Sequence, residues 1–301
     1  MNYKIILLFL VLFAFASCQN NAEDSTTVEL KTLEKSVENK PNGESISQLL
    51  VAYNLIIVDR ETNRKTLKKT LDKAYALADN PGWGKEQIGI ITSYLKEFPA
   101  DEGTEIKLVK LIDLMSERNQ KNTVNALKHS FIEAYPGSEQ TTKLKSEIDT
   151  SFSNAEAYLK SMAGKVFENV DEIGINVKNA REYVNACEAY ALVLPVKEET
   201  PKYLFNASEI ARTIKTFDKT LYLYDWIIDK YPQFEKAPMA LFLKGFILEN
   251  DLNNMEKAKE VYREFLEKYP AHDLADDVQF LLDNIGKSNE EILKMIEENK
   301  K

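Results

Sequence analysis

Histidine and cysteine, common choices for a catalytic base and nucleophile, are scarce in this chain. Its only histidines, His129 and His272, lie 143 positions apart, and its only cysteines are Cys18 and Cys187. Nucleophilic catalysis needs a nucleophile with a base in hydrogen-bond reach, and no His or basic group marks Cys187 for that role. In Asn185-Ala186-Cys187-Glu188-Ala189-Tyr190 it reads as a small core residue. His129, in a helical stretch, and His272, in a turn after Pro270, read as surface residues rather than metal ligands. Asp273, Asp276 and Asp277 lack the spacing of a calcium loop. They suit a helix N-terminus, where the dipole favours acidic side chains. Gly286-Lys287-Ser288 imitates the end of a phosphate loop, but Leu281 stands where the earlier glycine belongs, and Gly82-Trp83-Gly84-Lys85 is too short. Asn206-Ala207-Ser208 matches a glycosylation acceptor only in letters, since it falls inside an expected helix. No carboxylate pair stands in a glycosidase context. The reading is a non-enzyme without metal or cofactor.

Cys18 is different because of what precedes it. Lys4 supplies a positive charge, and Ile5 to Ala16 is an unbroken run of 12 apolar residues. A bilayer span takes about 20 residues, so the run suits the core of a signal peptide. Phe15-Ala16-Ser17-Cys18 resembles a bacterial lipobox, with Phe15 where that motif prefers Leu. The resemblance implies cleavage before Cys18, acylation of its thiol and new amine, and a multi-chain membrane anchor. Gln19 stands where lipoproteins retained at the inner membrane of many Gram-negative bacteria carry Asp. The expectation is outer-membrane anchoring, facing the periplasm.

The rest of the chain must position any site. It has 301 residues, 44% hydrophobic and 29% charged, with a net charge of −9. Such an acidic balance argues against nucleic-acid partners, which need a positive field, and against a polybasic membrane surface. Residues 1–17 read as signal peptide and 18–45 as a polar, lipid-anchored tether, with a short helix around Leu30 to Val37. From Ser47 apolar residues recur at helical spacing, as in Leu67, Leu71, Tyr75 and Ala78. Amphipathic stretches close at Phe98-Pro99, Tyr135-Pro136, Leu194-Pro195, Tyr231-Pro232 and Tyr269-Pro270, with proline separations of 37, 59, 37 and 38. Proline disfavours helix at the preceding residue and cannot continue the hydrogen-bond ladder. The interval of 59 reads as one unit plus an insertion.

The segment Leu223 to Pro232 recurs 38 residues later as Val261 to Pro270. The same shift superposes Leu204 on Phe242, Ala207 on Gly245, Ile210 on Leu248, Phe217 on Met255, Thr220 on Ala258 and Tyr224 on Tyr262. A period of this length predicts stacked helical hairpins. Small Ala207 and Gly245 admit a neighbouring helix, and Tyr224 and Tyr262 fill the space between hairpins. Leu241, Gly245, Leu248, Ala258, Tyr262 and Pro270 follow the pattern of the tetratricopeptide repeat, which the chain resembles best over residues 180–286. That family's unit is about 34 residues; the extra ones fall in the turn Asn250 to Asn254.

The expected fold is all-α, a right-handed superhelical solenoid of stacked hairpins. Degenerate repeats fill 46–150, tetratricopeptide repeats 151–287, and a polar capping helix 288–301. In the family, the first helix of each hairpin lines a concave groove, so Leu204, Ser208, Ala211, Arg212, Phe242, Phe246 and Glu249 are the expected partner groove. The two C-terminal repeats resemble those of lipoproteins that assist outer-membrane β-barrel assembly, and of cell-envelope coordinators. The partners so implied are other envelope proteins or peptides. The alternative is capture of a glycan or peptide for nutrient uptake. Larger helical-repeat lipoproteins of glycan uptake give that analogy, but this chain has only Trp83 and Trp226 with which to stack sugars.

Overall fold

The structure is a computed structural model, and it describes residues 25–172, 174–287 and 290–291. The leader, Cys18, the first part of the tether and nearly all of the closing helix lie outside the described residues. Among the described residues there are fourteen helices and no strand. The chain divides into two compact units, one ending at Ala78 and the other beginning at Asp79. The sequence reading had placed degenerate helical hairpins over 46–150.

The first unit holds α1 (Ser25–Asn39), α2 (Gly43–Val58) and α3 (Arg64–Ala78). Most of the expected tether is therefore helix, and α1 extends well beyond residues 30–37 at both ends. Polar as it is, α1 packs against α2. The Tyr53 hydroxyl donates to Glu34 Oε1 at 2.8 Å, and Lys73 Nζ meets the same oxygen at 2.7 Å. Asn42 caps α2 through a reciprocal box with Ser45. Leu49, Leu50, Tyr53, Leu71 and Ala74 form the small core.

The second unit runs α4 (Gly84–Glu97), α5 (Thr104–Glu117), α6 (Lys121–Ala134), α7 (Glu139–Lys145), α8 (Ala155–Lys165), α9 (Val177–Val193), α10 (Thr200–Thr213), α11 (Phe217–Lys230), α12 (Ala237–Asn250), α13 (Met255–Lys268) and α14 (Ala275–Asn284). Helices α9 to α14 pack each on the next, as a solenoid requires. The residues before the five prolines, Phe98, Tyr135, Leu194, Tyr231 and Tyr269, all cap helices. Their φ lies between −120° and −132° and ψ between 50° and 58°, and each N–H still bonds a carbonyl one turn back. The carbonyls of these caps need partners. In three of the five a threonine six residues on supplies one: Thr104 Oγ1 donates to Phe98 O, Thr141 to Tyr135 O and Thr200 to Leu194 O, at 3.1, 2.6 and 2.6 Å.

The long interval arises around Thr141. It lies in α7, where the first helix of a hairpin should begin, but that helix stops at Lys145 and α8 begins ten positions later. The turns between α5 and α6, α10 and α11, and α12 and α13 carry Asn119, Lys215 and Asn253 at φ 56°, 56° and 51°. Asn accepts this left-handed conformation more readily than Lys does.

Within hairpins a second polar contact recurs. Tyr190 OH donates to Glu156, Tyr224 OH to Glu209 and Tyr262 OH to Glu249, at 3.0, 2.5 and 2.7 Å. Each joins the second helix of a hairpin to the one before it. Burial, and then the facing carboxylate, push all three phenols above their ordinary range.

Candidate partner-binding cleft

The second helices of successive hairpins come together in the second unit. Helix α6 packs on α9, and α4 also touches α9. At the α4 C-terminus Glu97 pairs with Lys230 of α11, 133 residues away. Beside it Lys96 Nζ lies over the rings of Tyr222 and Trp226, 5.0 and 5.7 Å from their centroids. Burial holds the Lys96 ammonium below its usual range, and Glu97 and the α11 carboxylates offset part of that cost. An ammonium over two aromatic faces is favoured more strongly as water is removed.

Between these helices is an open cavity of about 230 Å³. Its floor is apolar: Ile88 of α4, Leu111 and Met115 of α5, Leu127 of α6, and Ala189 and Leu192 of α9. Thr92, Thr123, Asn185, Glu188 and Lys219 supply the polar groups. Lys219 Nζ bonds both oxygens of Glu188, at 2.9 and 2.8 Å, and lies 5.0 Å from the Tyr222 ring centroid. The Asn185 amide makes no hydrogen bond among the described residues. An apolar floor, an amide with both donor and acceptor to offer, and a charged lip suit a peptide segment.

The groove expected from sequence is built differently. Leu204, Ser208 and Ala211 are fully buried, so they are packing residues and not a docking surface. They stand one turn apart on the face of α10, and that helix is clasped between α9 and α11. The Ser208 hydroxyl is spent on Phe205 O at 2.6 Å. Arg212 pairs with Glu209 at 2.6 Å, and Glu249 accepts the Tyr262 phenol. Phe242 and Phe246 lie 6.2 Å apart, with Phe246 exposed. They form a small outer patch on α12, separate from the residues that line the cleft. The cleft draws mainly on second helices, because the interrupted hairpin at α7 lets α6 and α9 pack directly. Its residues sit at helical spacing (Ile88, Thr92 and Lys96; Asn185, Ala189 and Leu192), but that periodicity is the same as that of core positions.

His129 is also placed differently, since it is 4% exposed and not on the surface. Its ring stacks on Tyr158 at 5.3 Å, with Phe152 edge-on at 6.1 Å, and its Nε2 has no partner among the described residues. Burial lowers its pKa, against a smaller opposing pull from Asp149. A depressed base is neutral when folded, so its contribution is intact above about pH 6.5. That contribution is lost as pH falls through the folded value, because the unfolded chain then binds the extra proton. The melting temperature of the native protein should therefore fall more steeply from pH 7 to pH 5 than that of His129→Gln. Parallel curves would place this acid sensitivity elsewhere.

Cys187 is fully buried, and burial raises its thiol well above the ordinary range. Asp276 and Asp277 fall in the first turn of α14, as helix-dipole partners would. No group of His, Cys, Asp or Glu among the described residues is arranged to hold a metal ion. No described helix is long and apolar enough to cross a membrane.

The sequence profile of the tetratricopeptide repeat family matches residues 239–272. This stretch is the α12–α13 hairpin with its Tyr269-Pro270 stop. The chain thus contains a tetratricopeptide repeat within an all-helical stack. No curated protein matches the chain.

Proposed function

We propose that this repeat-containing chain is a non-enzymatic scaffold that holds other cell-envelope proteins by a peptide segment. The observation that carries the reading is the cleft: repeat helices converge on an apolar floor with an uncommitted amide and an ion-paired lip. Tetratricopeptide repeats generally bind protein partners, which points the same way. In this reading the leader and Phe15-Ala16-Ser17-Cys18 support a lipid anchor, and Gln19 supports an outer-membrane site facing the periplasm. A part in outer-membrane protein assembly is what the likeness of the C-terminal repeats implies.

Site-specific photo-crosslinking in cells tests the site. A photoreactive residue at Asn185 should capture an envelope protein, and one at exposed Asp113 should not. Asn185→Arg, which fills the cleft from a half-buried position, should cut recovery of that protein roughly tenfold, equivalent to about 1.4 kcal/mol. Equal capture from both positions would dismiss the cleft. Thermal stabilisation by an oligosaccharide, with no protein captured, would favour ligand uptake instead. For the anchor, Cys18→Ala should move the protein out of the membrane fraction after a high-salt wash. Retention through that wash would dismiss the lipid.

A further inference from the structure

The first unit leaves one apolar stripe uncovered. Val51, Leu55 and Val58 recur at helical spacing on α2 and are 60, 65 and 63% exposed. They lie on the face opposite Leu49, Leu50 and Tyr53, which fill the core. Three residues join α1 to α2, so the two helices run antiparallel. Tyr53 faces Glu34, and stepping six residues back along α1 and six forward along α2 sets Val28 level with Asp59. Val28 is itself 47% exposed. Exposed apolar side chains therefore gather where α1 begins and α2 ends.

That end is also basic. Residues 59–69 hold Arg60, Arg64, Lys65, Lys68 and Lys69 against Asp59 and Glu61, so 5 − 2 gives +3 in a chain of net charge −9, and of these Lys68 is paired with Asp72 at 3.7 Å. Lys65 and Lys69, one turn apart on α3, are exposed on the side away from buried Thr70, Leu71 and Ala74. Apolar side chains beside a lysine cluster are the combination that binds a bilayer interface. The first enter the acyl boundary, and the second face lipid phosphates. A second copy of the chain fits less well, because a two-fold interface would set the two basic clusters against each other.

We propose that this end of the first unit docks on an anionic lipid surface. The proposal takes its membrane from the envelope reading above, with Cys18 seven residues before α1 and within a reach of about 25 Å. It does not need the lipid itself. Docking would add a second, weaker attachment and fix which end of the first unit faces the bilayer.

The test is flotation of the unlipidated chain, Gln19 to Lys301, with phosphatidylcholine vesicles made with or without phosphatidylglycerol. The expected result is binding to the anionic vesicles only, reversed by high salt. Leu55→Glu/Val58→Glu and Lys65→Glu/Lys69→Glu should each lower the bound fraction roughly tenfold, with helical circular dichroism unchanged. Phe246→Glu, in the other unit, should have no effect. No binding to anionic vesicles, or binding insensitive to both pairs, overturns the proposal. So does a dimer that Leu55→Glu/Val58→Glu dissolves while vesicle binding persists, which would assign the stripe to a second copy. Capture of an envelope protein from a photoreactive residue at Leu55, without vesicle binding, would assign it to a protein partner. None of these outcomes bears on crosslinking from Asn185, so the docking end and the cleft stand or fall separately.

Discussion

Trp226→Ala is expected to lower the unfolding free energy by about 3–5 kcal/mol, read as a lower urea midpoint at unchanged slope. Trp226 is 2% exposed and is among the largest side chains fully enclosed by the protein. Two losses combine. The indole leaves a void that rigid helices refill only in part. Lys96 also loses one of the two aromatic faces that shelter its ammonium, and Tyr222 loses its edge-on neighbour at 5.9 Å. Since Lys96 joins α4 to α11, the same substitution should loosen one wall of the cleft. Partner capture from Asn185 should fall even where the protein remains folded. A destabilisation below about 1 kcal/mol would mean that the helices close over the gap.

Gly245→Val is expected to cost about 2–3 kcal/mol, although valine forms helix more readily than glycine. A Cβ at residue 245 would lie 2.5 Å from Tyr262 Cε1 and 2.7 Å from Cδ1. The ring has little freedom to retreat, because it is fully buried and its hydroxyl is held by Glu249. Tyr262→Leu should relieve part of the clash, so the double variant should be more stable than the sum of the two single losses predicts. Strict additivity would show that the two side chains do not press on each other.

This glycine also shows what the sequence could reveal. The shift of 38 residues picked out positions 207 and 245 as places of close approach, but it put Tyr224 and Tyr262 between hairpins, whereas Tyr262 meets Gly245 within the α12–α13 hairpin. The first inference concerns one helix and its neighbour, where spacing translates directly into geometry. The aromatic-proline stops were legible for the same reason, since the restriction acts on the adjacent residue. The cleft was not. It depends on which hairpins meet, and that follows from α7 ending at Lys145, a local failure that no period announces. Leu204, Ser208 and Ala211 were assigned to the wrong role because core and groove positions share one helical spacing. His129 looked like a surface residue because its cover, Phe152 and Tyr158, comes from a segment 23 to 29 residues later. The basic end of the first unit was hidden by averaging, since the charge of the whole chain says nothing about where the lysines gather.

The pairing of Glu97 with Lys230 bears on how such a chain can evolve. A linear array tolerates gain or loss of an internal hairpin, because each hairpin touches only its neighbours and the stack simply grows or shrinks by one step. Here α4 and α11 meet although helices α5 to α10 lie between them in the chain, so their meeting fixes the number of hairpins between them. Duplication or deletion within residues 98–229 would carry Lys96 and Glu97 past their partners and open the cleft, even if every remaining hairpin kept its own core. Additions after α11 face no such constraint. The tail of the array is where copies can accumulate, and there α12–α13 still resembles α10–α11, the unit just before it.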